Sequence, residues 1–326
     1  MTRIEARPPK VDGSLWRGEA PAKTNLFLRV LEREVSGYHG IESLFQKLAL
    51  SDEIEIRLRE GGGAGEGAGG TMELEGAELR LDVEGMDGEG LGDPRRNLVT
   101  RAVEALLARV RLPTPVRIGV RLRKSIPHGA GLGGGSSDAA TTLLGLNRLL
   151  GEPLAAGHLG RIGVALGSDV PFFLQPGALA LGWGRGHRIL EVAPLPSRPV
   201  LVVVPDFRVS TPEAYTLLAR EREGAGGALS DTAHYSPDAF DGWTKVRALA
   251  ANDFHGPVEA AHPRLREYRR KLEGAGAEIA LLSGSGSAVV GIFADREGLE
   301  AARDHLAGEE GLRLLVTRSL GPDAHR

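Results

Sequence analysis

The chain has 326 residues, of which 41% are hydrophobic; 40 Lys and Arg stand against 43 Asp and Glu, and there is no cysteine. Such a length and apolar share suit a globular protein of two domains. The formal net charge of -3 argues against nucleic acid as a main partner, and the lack of cysteine excludes disulfides, thiolate metal sites and a cysteine nucleophile. Residues 1–13 contain no apolar leader and no apolar run reaches membrane-spanning length, so a cytoplasmic protein without a membrane partner is expected.

Residues 1–20 read as a polar extension. Alternation of Ala22, Thr24, Leu26, Leu28 and Val30 predicts a strand over 22–31, and Ile54, Ile56 and Leu58 mark a second. The glycine run from Glu60 to Gly70 carries two glutamates and leads to a short alternating stretch near Leu79, the pattern of a mobile hairpin loop. Leu98, Val99, Ala102, Val103, Leu106, Leu107 and Val110 give residues 97–110 the apolar face of a helix. Val116, Ile118, Val120 and Leu122 form another strand, and helices are predicted from Ser136 to Leu150 and from His158 to Leu166. Strands near 178–181 and 189–192 follow, and Pro194, Pro196 and Pro199 mark a domain boundary at residue 195. The second half opens on a buried strand, 200–204, continues with helices at 212–222, 243–251 and 263–272, then strands at 278–282 and 288–293 around a Gly-Ser turn, a helix and a last strand at 312–317. No internal repeat is present, and the element order is that of an α+β protein.

The most informative stretch is Pro127 to Asp138. Glycines at 129, 131, 133, 134 and 135 let the backbone approach a ligand closely, and Ser136, Ser137 and Asp138 open an apolar-periodic helix whose first amides favour an anion. The run therefore reads as a phosphate cradle, whereas the 60–70 run lacks such a helix start. The P-loop pattern fails because no lysine precedes Ser136. Gly129, Gly131 and Gly134 formally satisfy the dinucleotide fingerprint, but Lys124 to Pro127 intervene between strand and loop and the preceding strands read as antiparallel. Elsewhere, Lys23 and Asn25 share one face of an otherwise apolar strand, as a functional pair or as a solvated edge. Asp169 adjoins the apolar Val170 to Leu174, where a carboxylate is costly to bury without a partner; a turn or cap aspartate is the alternative.

Pro127 to Ser137 closely resembles the loop Pro-x-x-x-Gly-Leu-Gly-x-Ser-Ser of the galactokinase, homoserine kinase, mevalonate kinase and phosphomevalonate kinase (GHMP) superfamily. More narrowly, Pro21 to Leu26, Gly37-Tyr-His39, Arg96 to Leu98, Lys124 to Pro127, Gly167 to Phe172, Ser210 to Pro212, Asn252-Asp253 and Ser283 to Gly286 occur in the order of the 4-diphosphocytidyl-2-C-methyl-D-erythritol kinase family. The resemblance covers about residues 20–295. It implies the two-domain GHMP kinase fold, with an N-terminal half (21–195) like ribosomal protein S5 domain 2 and a ferredoxin-like C-terminal half (196–326). It also implies transfer of the γ-phosphoryl group of ATP, with Mg²⁺, to the C2 hydroxyl of 4-diphosphocytidyl-2-C-methyl-D-erythritol in the non-mevalonate route to isoprenoids. The expected assembly is a monomer or weak homodimer.

By that resemblance Asp169 takes the hydroxyl proton and Lys23 keeps it ionised while stabilising the transferring group. Asn97 and Leu98 line the adenine pocket, Lys124 with Arg123 adds positive charge for nucleotide binding or is simply an exposed strand end, and Pro127, Gly129, Gly131, Leu132, Gly133, Gly134 and Gly135 hold the nucleotide with Ser136 and Ser137. Ser136 is the expected metal contact, although the sequence leaves open which serine does which. Asn25, Tyr38, His39, Thr211 and Tyr215 form the substrate end, where aromatic rings stack on cytosine. Gly182 to His187 departs from the family, which often has a glutamate near its last position, as do the 61–70 insertion, the N-terminal extension and Ser230 to Pro237. The rivals are a homoserine or mevalonate kinase, whose substrates have no base to stack, and a nucleotide-binding sensor, which needs neither Lys23 nor Asp169.

Overall fold

A computed structural model describes residues 3–6, 13–33, 39–61, 71–85, 93–224, 235–236 and 238–322. In chain order the elements are β1 (Ile4–Glu5), β2 (Ser14–Arg33), β3 (His39–Glu60), β4 (Thr71–Leu74), β5 (Ala77–Gly85), α1 (Leu98–Leu107), β6 (Val110–Arg111), β7 (Val116–Lys124), α2 (Gly134–Leu149), α3 (Ala156–Leu166), α4 (Val170–Phe173), β8 (Leu179–Gly184) and β9 (Arg188–Glu191). They continue with β10 (Pro199–Pro205), α5 (Thr211–Gly224), α6 (Trp243–Leu249), α7 (His255–Ala261), α8 (Pro263–Gly274), β11 (Ile279–Leu282), β12 (Val289–Ile292), α9 (Arg296–Leu306) and β13 (Leu312–Arg318). Among the described residues no helix is long and apolar enough to cross a membrane.

The chain forms two compact units, each built from separate segments: Met1–Pro21, Ser51–His128 and Gly134–Gln175 in the first, Ala22–Leu50, Gly129–Gly133 and Pro176–Arg326 in the second. A single cut near residue 195 does not describe this, because β2 and β3 each supply residues to both units.

In the first unit the strand order is β4-β5-β7-β3, with β5 parallel to β7 and β7 antiparallel to the second half of β3. The register pairs Ile54 with Leu122, Ile56 with Val120 and Leu58 with Ile118, all buried. The alternate residues carry charge and pair in place, as with Arg117–Glu78, Arg121–Glu84 and Arg123–Glu53. One apolar and one charged face is what a period of two dictates for a sheet covered on one side. Val99, Ala102, Val103 and Leu106 of α1 and Ala139, Ala140, Leu143 and Leu146 of α2 are buried. The expected polar extension is partly corrected here. Ser14 to Ala20 belong to β2, and the Trp16 ring lies so close to Gly145 of α2 that a Cβ there would sit 2.4 Å from it.

The second unit contains the first half of β3, paired with β8, and β8 paired with β9. Its other sheet is fully antiparallel in the order β11-β12-β10-β13. Read along the chain, β10, helices, β11, β12, α9 and β13 give the ferredoxin-like arrangement expected of the C-terminal half. Leu201, Val203, Leu265, Tyr268, Leu272, Leu282, Val289, Phe293 and Leu299 form its core. The helix predicted over 243–251 ends at Leu249, and α7 is an addition that periodicity missed. The 62–70 glycine run, Tyr38 and residues 230–234 lie outside the described residues.

Candidate active site

In the first unit, β7 ends at Lys124 and the chain turns into the glycine loop. Asp52, fully buried, accepts hydrogen bonds from the backbone N–H of Ser125 (2.6 Å) and Ile126 (2.8 Å) and pairs with the Lys124 ammonium. Lys124 reaches on to Asp138, the fifth residue of α2, 2.7 Å away. The strand end and the early part of the helix are thus tied by a half-buried lysine between two buried carboxyl groups. Burial opposes the Lys124 charge, but attraction from Asp138 and Asp52 outweighs it and raises its pKa. Burial pushes the Asp138 carboxyl well above the usual carboxylate range, against the pull of Lys124.

The helix α2 begins at Gly134, two residues earlier than expected, so Gly134 and Gly135 lie in its first turn. The first four N–H groups of a helix have no partner within it, and here they follow directly on the loop. A Cβ on Gly134 would stand 3.0 Å from the Ile126 side chain, which would have to give way by a few tenths of an ångström to admit it. The side-chain Oγ of Ser137 and Oδ1 of Asp138 are buried without a hydrogen-bond partner, whereas Ser136 is only half-buried. Asn97 caps α1, its Oδ1 accepting from Val99 N–H at 2.9 Å, and the half-buried Leu98 lies in van der Waals range of Gly135. Asp169 precedes α4 with no side-chain bond to that helix, so a capping role does not account for it.

In the second unit Lys23 is 4% exposed; its Nζ donates to Asn25 Oδ1 (2.8 Å) and lies 5.8 Å from the centre of the Phe45 ring. Asn25 donates to Ser43 Oγ, which donates to Phe27 O. The loop residues Gly129, Gly131 and Gly133 take φ of +73°, +83° and +75°. At Gly131 a Cβ would come within 2.0 Å of Ser283 O, so this position is closed to any side chain. The Lys23 N–H donates to Leu132 O, and the Ala288 N–H to Ala130 O.

The structure also brings His39 and Tyr215 together, their rings stacked with centroids 4.9 Å apart, and sets Phe254 edge-on against Tyr215. One face of Tyr215 is therefore taken by His39. Thr211 Oγ1 meets Ser285 Oγ at 3.1 Å. Sequence reasoning missed three groups. Asp52 gave no signal beyond a charge between apolar strand residues; Tyr235, stacked on Phe27 at 5.5 Å, sits in a stretch set aside as divergent; and Arg208, exposed, has its side chain 3.4 Å from the Cβ position of Gly129. Among the described residues no group of three or more His, Asp or Glu could cage a metal ion.

Comparison with known proteins supplies the remaining findings. Residues 97–177 match the GHMP kinases N terminal domain and residues 243–311 the GHMP kinases C terminal family. A 4-diphosphocytidyl-2-C-methyl-D-erythritol kinase of Solibacter usitatus is 38% identical over 301 residues, 92% of this chain and 88% of that protein. The enzyme of the same name from Geobacter metallireducens is 36% identical over 302 residues, 93% of this chain and 98% of that one. A crystal structure of 4-(cytidine 5'-diphospho)-2C-methyl-D-erythritol kinase matches with a TM-score of 0.72 at 30% identity, covering 94% of this chain and 100% of its own.

Proposed function

The chain belongs to the 4-diphosphocytidyl-2-C-methyl-D-erythritol kinase family of the GHMP kinases, and from that premise we propose that Lys23 and Asp169 carry the transfer of the γ-phosphoryl group of ATP to the C2 hydroxyl of 4-diphosphocytidyl-2-C-methyl-D-erythritol. Asp169 orients the hydroxyl and accepts its proton as the new oxygen–phosphorus bond forms and the bond to the β-phosphate oxygen breaks. In a loose transition state that proton leaves late, so orientation matters more than basicity. Lys23 opposes the charge on the transferring group. The amides of Gly129 to Ser137 and the side chains of Asn97, Leu98 and Pro127 hold the nucleotide, while Lys124 fixes the loop's shape through its carboxylate partners.

The residues present fit Mg²⁺, because Ser137 Oγ and Asp138 Oδ1 are hard oxygen donors buried without a protein partner. Ser136, Ser137 and Asp138 would hold the ion, which when bound neutralises phosphate charge. Tyr38, His39, Asn25, Thr211 and Tyr215 bind the cytidylyl substrate. The protein acts in the cytoplasm as a monomer or weak homodimer.

The observation that carries this reading is Lys23, an ammonium only 4% exposed whose Nζ is fixed 2.8 Å from Asn25 Oδ1 on the strand that the glycine loop meets at Leu132 O. Burying an ammonium is costly, and a use for its charge supports keeping it there. ATP consumption measured side by side with the cytidylyl substrate, homoserine and mevalonate tests it, turnover being expected with the first alone. Asp169→Asn is expected to keep ATP affinity and to lose about 10²- to 10⁴-fold in kcat; undiminished kcat defeats the assignment.

A further inference from the structure

The Asn252-Asp253 pair has no part in the chemistry just described, yet the second unit is organised around it. Asp253 Oδ2 accepts from the Val30 N–H (2.8 Å) and from Arg222 (2.9 Å), and Arg222 also donates to Val30 O. The backbone on either side clasps the same strand, Leu28 N–H donating to Ala251 O and Asp253 N–H to Leu28 O. This anchors β2 five residues beyond Lys23. Asn252, 7% exposed, turns the other way: its Nδ2 donates to Leu282 O (2.9 Å) and Gly284 O (2.8 Å), and its Oδ1 accepts from Phe254 N–H. His255 adds an acceptor, its Nε2 taking the Leu282 N–H at 2.8 Å.

The turn so gripped reaches Lys23 directly. The Gly284 N–H donates to Asn25 Oδ1 (3.0 Å), the same oxygen that accepts from Lys23 Nζ, and Ser283 Oγ donates to Gly131 O (3.0 Å). Gly284 has φ of +59°, and a Cβ there would stand 3.4 Å from Lys23 Nζ. From these contacts we infer that Asn252 is a positioning residue for Lys23, acting through the Gly284 turn and Asn25. One amide holds two carbonyls of the turn, the turn holds Asn25, and Asn25 aims the ammonium. A misplacement of about 1 Å at a reacting group costs on the order of 10²-fold in rate, so a residue that never meets substrate can govern kcat.

The inference rests on the kinase reading, so its test has one arm that needs no turnover. In the full chain, acylation of lysines by an N-hydroxysuccinimide ester is mapped by mass spectrometry, with Lys47, 5% exposed in the same unit, as internal control. Asn252→Ala is expected to label Lys23 about fivefold faster than wild type with Lys47 unchanged, because a loosened turn opens more often around that one amine. Equal acceleration at both lysines, or at neither, overturns the proposal whatever the substrate proves to be. In the turnover arm, Asn252→Ala is expected to lower kcat about 10- to 100-fold with KM for ATP and for the cytidylyl substrate within about threefold, and to add nothing in a Lys23→Ala background. The same loss in both backgrounds, or an unchanged kcat, overturns it. Should Asn252→Ala fail to fold, Gly284→Ala carries both arms, since a side chain at φ of +59° strains the turn that holds Asn25 and leaves Asn252 intact; an unchanged Lys23 reactivity and kcat in that variant is equally fatal. Absence of wild-type turnover with the cytidylyl substrate defeats the kinase reading alone.

Discussion

Two lysines, Lys124 and Lys23, stand beside glycine-rich turns in different settings. Lys124, its side chain 11% exposed, bridges two carboxyl groups, Asp52 and Asp138, and so ties β7 to α2. Lys23, 4% exposed, donates to the Asn25 amide oxygen, and that same oxygen takes the Gly284 N–H. The difference teaches two uses of a cation in a fold: the first lysine joins two elements, whereas the second is aimed by an amide that a turn holds in place. Burial alone does not distinguish them; what anchors the group that holds each lysine does.

The largest effect expected from breaking this contrast is on stability, and on the Lys124 side. Asp52→Ala removes a fully buried carboxylate that pairs with Lys124 and takes two backbone N–H groups, leaving a cation and two donors short of partners. Breaking a buried ion pair from one side costs about 3–5 kcal/mol. Asn25→Ala, which strips hydrogen bonds but strands less charge, is expected to cost about 1–3 kcal/mol. Chemical denaturation of both variants gives the two numbers, and equal costs would erase the distinction.

That contrast was only half legible in the sequence. Alternation found the apolar faces of β3 and β7, and the glycine spacing found the loop, because both are local patterns with a fixed period. Lys23 and Asn25 could be placed on one face because they are two residues apart in a strand. The partners that give each lysine its meaning could not be placed so. Asp52 lies 72 residues before Lys124, and Gly284 lies 259 after Asn25, separations over which no periodicity speaks. The start of β2 was missed for a related reason: Ser14 to Glu19 alternate between half-buried and exposed, so no buried apolar face marks them although Trp16 packs on Gly145. Asp169 was found only through its neighbours and the family resemblance, since its own chemistry fits a turn as well as a base.

A second, smaller effect sharpens the Lys23 side of the comparison. Burial pulls the His255 pKa from its ordinary value of 6.5 down to about 4, with Glu259 opposing and Arg269 reinforcing the fall. The neutral ring is the form that accepts the Leu282 N–H. Between pH 6.5 and 4 the unfolded chain therefore binds a proton that the folded one excludes. The stabilisation is complete above about pH 6.5 and fades as pH drops toward 4, with an upper bound of about 3 kcal/mol. Thermal melts across that window should show a slope that flattens in His255→Gln; an identical slope in the variant would detach His255 from the turn's stability.

The smallest expected effect compares Lys124 with Arg208, a cation on the opposite footing in water. Arg208 is exposed beside Gly129, so its attraction for a phosphate is screened by salt, whereas Lys124 is 11% exposed between two buried carboxyl groups and is screened much less. Arg208→Gln is expected to raise KM for ATP about two- to fivefold at low ionic strength, in keeping with the modest worth of exposed charges. At about 0.5 M salt, where the screening length falls to a few ångströms, wild type and variant should converge. Lys124→Gln acts by freeing the loop from Asp52 and Asp138, and its penalty should persist at the same salt. If the Arg208 effect outlasts the salt, that side chain makes a desolvated contact with the nucleotide and belongs with Lys23; if the Lys124 effect fades, that lysine is not the tie between β7 and α2 that its geometry describes.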